Sequence, residues 1–153
     1  MAAKGLYQAF RTNRQMETEG VILDFGVARF KVRRAGGSNR RFTTVFNQKT
    51  KPYARALAAG TLDEEVAKRL MYETYYDAVV IEWEGVTDEE GNSLKFTQAN
   101  FIKVMSDLPD LWTRLRDECD NMRNFQDAEV EEAVEKMGES SFGSPNGALS
   151  LNS

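Results

Sequence analysis

The apolar positions change period several times along the chain, and each change marks a new element. LYQAF sets Leu6 and Phe10 four residues apart, the spacing of one amphipathic helical turn. From Gly20 the period drops to two. Val21, Leu23 and Phe25 then share one face of a strand, and Ala28, Phe30 and Val32 share one face of the next. Gly26 and Val27 between them fit a two-residue hairpin turn of type II′, with a wider loop as the alternative. The alternate positions of the second strand are Arg29, Lys31 and Arg33, so the ribbon is apolar on one face and cationic on the other. A two-stranded ribbon is marginal by itself, and its apolar face is expected to rest on helices.

Helical periodicity then takes over. AGGSNRRF offers Ser38 and Asn39 as N-caps ahead of a helix beginning near Arg40, with Phe42, Val45, Phe46, Tyr53, Ala56 and Leu57 near one side. Pro52 must kink that helix or divide it, and Gly60 stops it. In TLDE, Thr61 and Glu64 have the spacing of a capping box. The stripe of Leu62, Val66, Leu70, Tyr75, Ala78 and Val79 predicts a helix running through AVVIEWE to a stop at Gly85. DEEG in VTDEEGNSLKF predicts a small second hairpin. TQANFIKVM predicts a short helix after Thr97, and SDLPDLWTRL another, capped by Ser106 or Asp107 with Pro109 in its first turn. Leu108, Leu111, Trp112, Leu115, Cys119 and Met122 form its apolar side, and Val130, Ala133, Val134 and Met137 a weaker second stripe. The expected fold is α+β, mainly α-helical: an N-terminal β-hairpin over residues 20–34 packed on a small bundle of helices. Residues 1–137 form the folded domain, and 138–153, rich in Gly, Ser and Asn, a flexible C-terminal tail.

Composition narrows the chemistry. With one cysteine and no histidine in 153 residues, an intrachain disulfide, a zinc finger and histidine-based catalysis are excluded. No apolar run is long enough for a membrane span, and no signal-peptide pattern precedes the hairpin, so a cytosolic protein is expected. The carboxylate pairs Asp63 with Glu64, Asp88 with Glu89 and Glu90, and Asp107 with Asp110 are accounted for by caps and turns. DEEGN lacks the ligand spacing of a calcium loop, and AGGSNRR lacks both glycine-rich nucleotide signatures. Cys119 falls on an apolar stripe and reads as a small core residue. No enzyme activity, cofactor or metal is expected.

Charge changes the picture further. The net −4 divides into +9 over residues 1–60 and −13 over residues 61–153. A cationic arm attracts phosphate or a carboxylate-rich surface, although folding against its own acidic remainder explains it more simply. Arg29, Lys31, Arg33, Arg34, Arg40 and Arg41 are therefore candidate partner-binding residues. Trp83 and Trp112 join them, because the segment from Thr61 to Phe125 has the Met-, Trp-, Tyr- and Leu-rich composition of a groove for an apolar helix; singly, each tryptophan reads as core.

Taken in order, EGVILDFGVARFKVRRAGGSNRRF, TKPYARAL with GTLDEEVAKRL, VVIEWEGVTDEEG and FTQANFIKVMSDLPDLW, followed by an acidic C-terminal helix, resemble the tail assembly chaperones of long-tailed bacteriophages. The resemblance runs from Glu19 to Glu135. It covers Gly36, Gly37, Ser38, Asn39 and Arg40, then Trp83, Glu84 and Gly85, then Asp107, Leu108, Pro109 and Asp110. FTTVFNQ and the neutral tail after Gly138 depart from the pattern. The resemblance implies a non-catalytic helical protein of the host cytoplasm, absent from the mature virion, that binds the tape measure protein and keeps it soluble. Tail tube protein and further copies of the chain are additional candidate partners; nucleic acid and membrane are not expected. The alternatives are a structural virion component, such as a tail connector or completion protein, and a nonspecific nucleic-acid-binding module.

Overall fold

A computed structural model describes residues 5–127. In chain order these form α1 (Leu6–Phe10), α2 (Arg14–Glu19), β1 (Val21–Asp24), β2 (Arg29–Val32), α3 (Arg40–Thr50), α4 (Ala54–Ala59), α5 (Glu64–Ala78), β3 (Val80–Glu84), α6 (Gln98–Asp107) and α7 (Pro109–Asp120). Short 3₁₀ turns occupy Lys51–Tyr53 and Met122–Phe125. The stripe Val130, Ala133, Val134 and Met137, the boundary after residue 137 and the tail 138–153 lie outside the described residues. The chain divides into two units, residues 14–121 and, among those described, residues 5–13 with 122–127.

In the larger unit the fold is mainly α-helical, with the hairpin packed against helices as expected. Leu23 pairs with Phe30 and Asp24 with Arg29, a register that leaves Gly26 and Val27 as the turn. Gly26 takes a φ of 90°, open to glycine at little cost, and the Phe25 amide donates to the Ala28 carbonyl at 2.9 Å. Leu23, Phe30 and Val32 are buried.

β2 is nevertheless a central strand. β3 pairs antiparallel with its other edge, setting Phe30 opposite Trp83 and Lys31 opposite Glu82, in the order β1-β2-β3. The expectation of one helix as far as Gly85 is thus corrected: α5 ends at Ala78. Val79, Val80 and Ile81 are β-branched and suit a strand, while the second edge of β2 carries main-chain groups that need partners. The Asn39 side-chain amide donates to the Ala78 carbonyl at 2.9 Å, holding the end of α5 to the start of α3.

Caps differ from expectation at α5 and α7, and at α3 Asn39 holds the N-cap position without a side-chain capping bond. The N-cap of α5 is Asp63, whose carboxylate accepts the Glu65 amide at 2.8 Å; the Thr61–Glu64 box does not form. Gly60 ends α4 in the left-handed region at φ 69°, and the Thr61 amide bonds back to the Ala56 carbonyl, so Thr61 completes the previous helix stop. For α7, neither Ser106 nor Asp107 caps: both still belong to α6, Leu108 holds the N-cap position, and Pro109 opens the helix without needing a partner for an amide it lacks. Pro52 divides the preceding segment into α3, a 3₁₀ turn and α4, and Thr97 caps α6 by accepting the Asn100 amide at 3.2 Å.

The core of this unit gathers Phe30, Val32, Phe101, Met105, Leu115 and Cys119, all essentially inaccessible. Around Trp112, Tyr72 and Tyr75 stand edge-on at ring separations of 4.8 and 4.9 Å, a favoured edge-to-face geometry. α2, unforeseen because RQMETE has little apolar periodicity, is held through Glu17. Its buried carboxylate pairs with Arg34 at 2.7 Å and accepts the Ser38 amide at 3.1 Å.

In the smaller unit, α1 forms the expected turn but buries Ala9, leaving Leu6, Tyr7 and Phe10 exposed. The Asn13 amide donates to the Phe125 carbonyl at 2.8 Å. The Gln126 side chain donates to the Ala9 and Arg11 carbonyls at 2.9 and 3.2 Å.

Candidate functional site

The sheet places the cations of β2 among carboxylates. Residues directly opposite one another in an antiparallel pair share a face. Arg29 therefore lies between Asp24 and Glu84, and Lys31 between Ile22 and Glu82. The Arg33 Nε donates to the Thr18 carbonyl at 2.9 Å, Arg34 pairs with Glu17, and the Arg41 Nε donates to the Asp77 carbonyl at 2.9 Å. Arg40 is exposed at the first position of α3. What reads in one dimension as a bare basic arm is, in the fold, a set of cations mostly facing acidic or carbonyl groups.

The two tryptophans also have structural partners. Trp83 donates its Nε1–H to the Leu94 carbonyl at 2.8 Å, and its ring meets those of Phe30, Phe96 and Phe101. Trp112 is buried, with the Arg116 guanidinium 5.1 Å from its ring centroid. The eight candidate residues are not gathered into one surface.

An apolar cleft of about 620 Å³ lies elsewhere in the same unit. One wall is the hairpin turn, contributing Phe25, Val27 and Ala28. Facing it are the loop after β3, from Gly85 to Glu90 with Leu94, and the junction of α6 and α7, with Val104, Leu108 and Leu111. Two large apolar side chains at this site stand in solvent, Val27 at 90% exposure and Leu108 at 52%. Gly85 lets the walls approach. Its φ is 81°, and a Cβ there would come within 2.8 Å of the Val27 carbonyl oxygen.

The rim is acidic. Asp88, Glu89, Glu90 and Asp107 line it together with a single cation, Lys103, which bonds to Asp107 at 2.8 Å. Asp88 is held below the usual carboxylate range, first by the Asn92 amide and further by the Asn92 side chain and the Glu90 amide. Lys103 is raised, chiefly by its bond to Asp107, with a smaller contribution from the charge of Glu89. None of the cleft residues was singled out from the sequence as a partner site. The available signal was an aliphatic residue at a hairpin tip, Val27, and another directly before a helix-opening proline, Leu108.

Burial pushes the Cys119 thiol well above its ordinary value, and the neighbouring charges of Glu118 and Asp120 add to that. The group is accordingly a poor nucleophile. Among the described residues no group of three or more Cys, Asp or Glu is placed to hold a metal ion, and no helix is long and apolar enough to cross a membrane.

No curated protein and no solved structure matches the chain. A family model described as YdaY prophage protein matches residues 37–136, a span that takes in α3 to α7 and the β3, loop and helix walls of the cleft. With well over half of its length inside that match, the chain belongs to the YdaY prophage protein family and is a phage-associated protein.

Proposed function

We propose that the chain is a non-catalytic assembly factor of the tail assembly chaperone kind, which holds an apolar segment of the tape measure protein in its cleft and keeps that protein soluble in the host cytoplasm until the tail tube encloses it. One observation carries the reading. Residues through which the chain resembles tail assembly chaperones, Gly85, Asp107 and Leu108, line the cleft, where Val27 and Leu108 expose apolar surface. An open cleft with aliphatic side chains in solvent suits a client whose own apolar stripe needs temporary cover. Membership of a phage-associated family supports the setting. Against the nucleic-acid alternative stand Asp24, Glu82 and Glu84, set beside the cations of β2.

The test is coexpression with the tape measure protein of the same phage. Copurification, a rise in soluble tape measure protein, and loss of both with Leu108→Asp are expected. No complex and no gain in solubility would refute the proposal. Detection of the chain at stoichiometric level in purified particles would favour the structural-component reading.

A further inference from the structure

We infer that the cleft selects a cationic amphipathic helix, an aliphatic stripe flanked by lysine or arginine; this deepens, and rests on, the reading of the cleft as a client site. Helical form follows from what the cleft presents. Neither outer strand of the sheet, β1 nor β3, contributes a residue to the lining, so an extended peptide finds no strand edge to join. The main chain of the loop is already engaged: the Asp88 amide donates to the Asn92 carbonyl at 2.8 Å, the Gly91 amide to Asp88 at 3.1 Å and the Leu94 amide to Val86 at 3.0 Å. The Asp88 carboxylate takes the Glu90 and Asn92 amides at 2.9 Å each. Side chains are left to do the binding, as when a helix lays its apolar stripe into a groove.

Cationic character follows from the rim. Four carboxylates, Asp88, Glu89, Glu90 and Asp107, line the cleft against one ammonium, and that ammonium is bonded to Asp107. Neither Glu89 nor Glu90 has a cation within 4.0 Å among the described residues. Arg114, which is not part of the lining, has its guanidinium 5.0 Å from the centroid of the Phe25 ring. A client helix bearing Lys or Arg beside its apolar stripe meets this rim favourably, and one bearing Glu is repelled by it.

Two synthetic amphipathic helices of about five turns, with the same leucine stripe and either Lys or Glu flanks, test this by fluorescence anisotropy against the full chain. At about 50 mM salt the Lys peptide is expected to bind at least about tenfold tighter, with the gap closing as salt shortens the screening length. Glu89→Lys with Glu90→Lys should invert the preference. Leu108→Asp should weaken both peptides; all three positions are exposed, and circular dichroism confirms that the variants fold. Equal affinity for the two peptides overturns the charge selection while leaving the cleft as client site. Lys-peptide binding indifferent to Leu108→Asp overturns the location. Failure of both peptides to bind, with the tape measure protein still copurifying, overturns the inference alone; failure of copurification as well removes the functional reading beneath it.

Discussion

Glu17 is a single buried side chain whose removal should cost the fold heavily. It sits on a short helix of weak intrinsic stability, yet its side chain is only 1% exposed and joins α2 to the AGGSN loop. One carboxylate oxygen meets Arg34 at 2.7 Å and the other accepts the Ser38 amide at 3.1 Å, while the Glu17 carbonyl accepts the Arg34 amide. Gly37 packs so closely that a Cβ on it would overlap the Glu17 carboxylate. Glu17→Ala removes two charge-assisted bonds and strands a guanidinium that is 19% exposed. Breaking a buried pair costs about 3–5 kcal/mol, and residual solvation of Arg34 puts the expected loss at the lower end, about 3 kcal/mol. That is a large part of a typical domain stability of about 5–15 kcal/mol and corresponds to a fall in Tm of roughly 10 °C. Urea unfolding followed by circular dichroism measures it. Glu17→Gln keeps an acceptor for Ser38 and should lose less. A cycle with Arg34→Met should give a coupling of at least about 1 kcal/mol. A loss below about 1 kcal/mol for Glu17→Ala, or additivity with Arg34→Met, would refute the view that this pair fastens α2 to the loop.

Gly85→Ala should destabilise by about 2–4 kcal/mol, combining positive φ for a residue with a Cβ and contact with the Val27 carbonyl, and should weaken client copurification by displacing a cleft wall; unfolding and pull-down assays read the two effects. Asp63→Ala should cost about 1 kcal/mol through loss of the α5 cap, whereas Thr61→Ala should cost less, a ranking that thermal unfolding checks. Cys119 should resist a thiol reagent in the native protein and react on unfolding. Its folded pKa is raised above the ordinary 9.0, so the unfolded chain loses a proton that the native one keeps, and stability should fall as pH rises beyond about 9. Val27→Thr should leave urea stability nearly unchanged, because the side chain is 90% exposed, while reducing client binding.

Local features were legible and pairings distant in sequence were not. The hairpin could be read because Gly26 and period-two alternation are adjacent in sequence, and the register follows from the turn. β3 could not, since VVIEWE continues a helical stripe; what makes it a strand is the unsatisfied edge of β2, supplied by a segment far upstream. The choice of Asp63 over Thr61 in TLDE depends on how Gly60 ends the previous helix, two turns of geometry that share one tetrapeptide. The basic arm misleads in the same way. Arg29 and Lys31 look unopposed along the chain, but the third strand brings Glu82 and Glu84 beside them.

The cleft escaped the sequence reading for a related reason, and that reason bears on its role. Periodicity identifies apolar residues that an element turns towards its own core, so it is silent about residues where elements end. Val27 lies at a hairpin tip, Leu108 at the N-cap position of α7, and Gly85 directly after β3. The first two gain little from folding, since both remain mostly in water. A polar residue at either place would serve the turn or the cap at least as well, given that Ser, Thr, Asp and Asn are the favoured N-caps. An aliphatic side chain kept in solvent at two ends that converge on one cleft has no account in the stability of the isolated chain. It does have one if another apolar surface covers both.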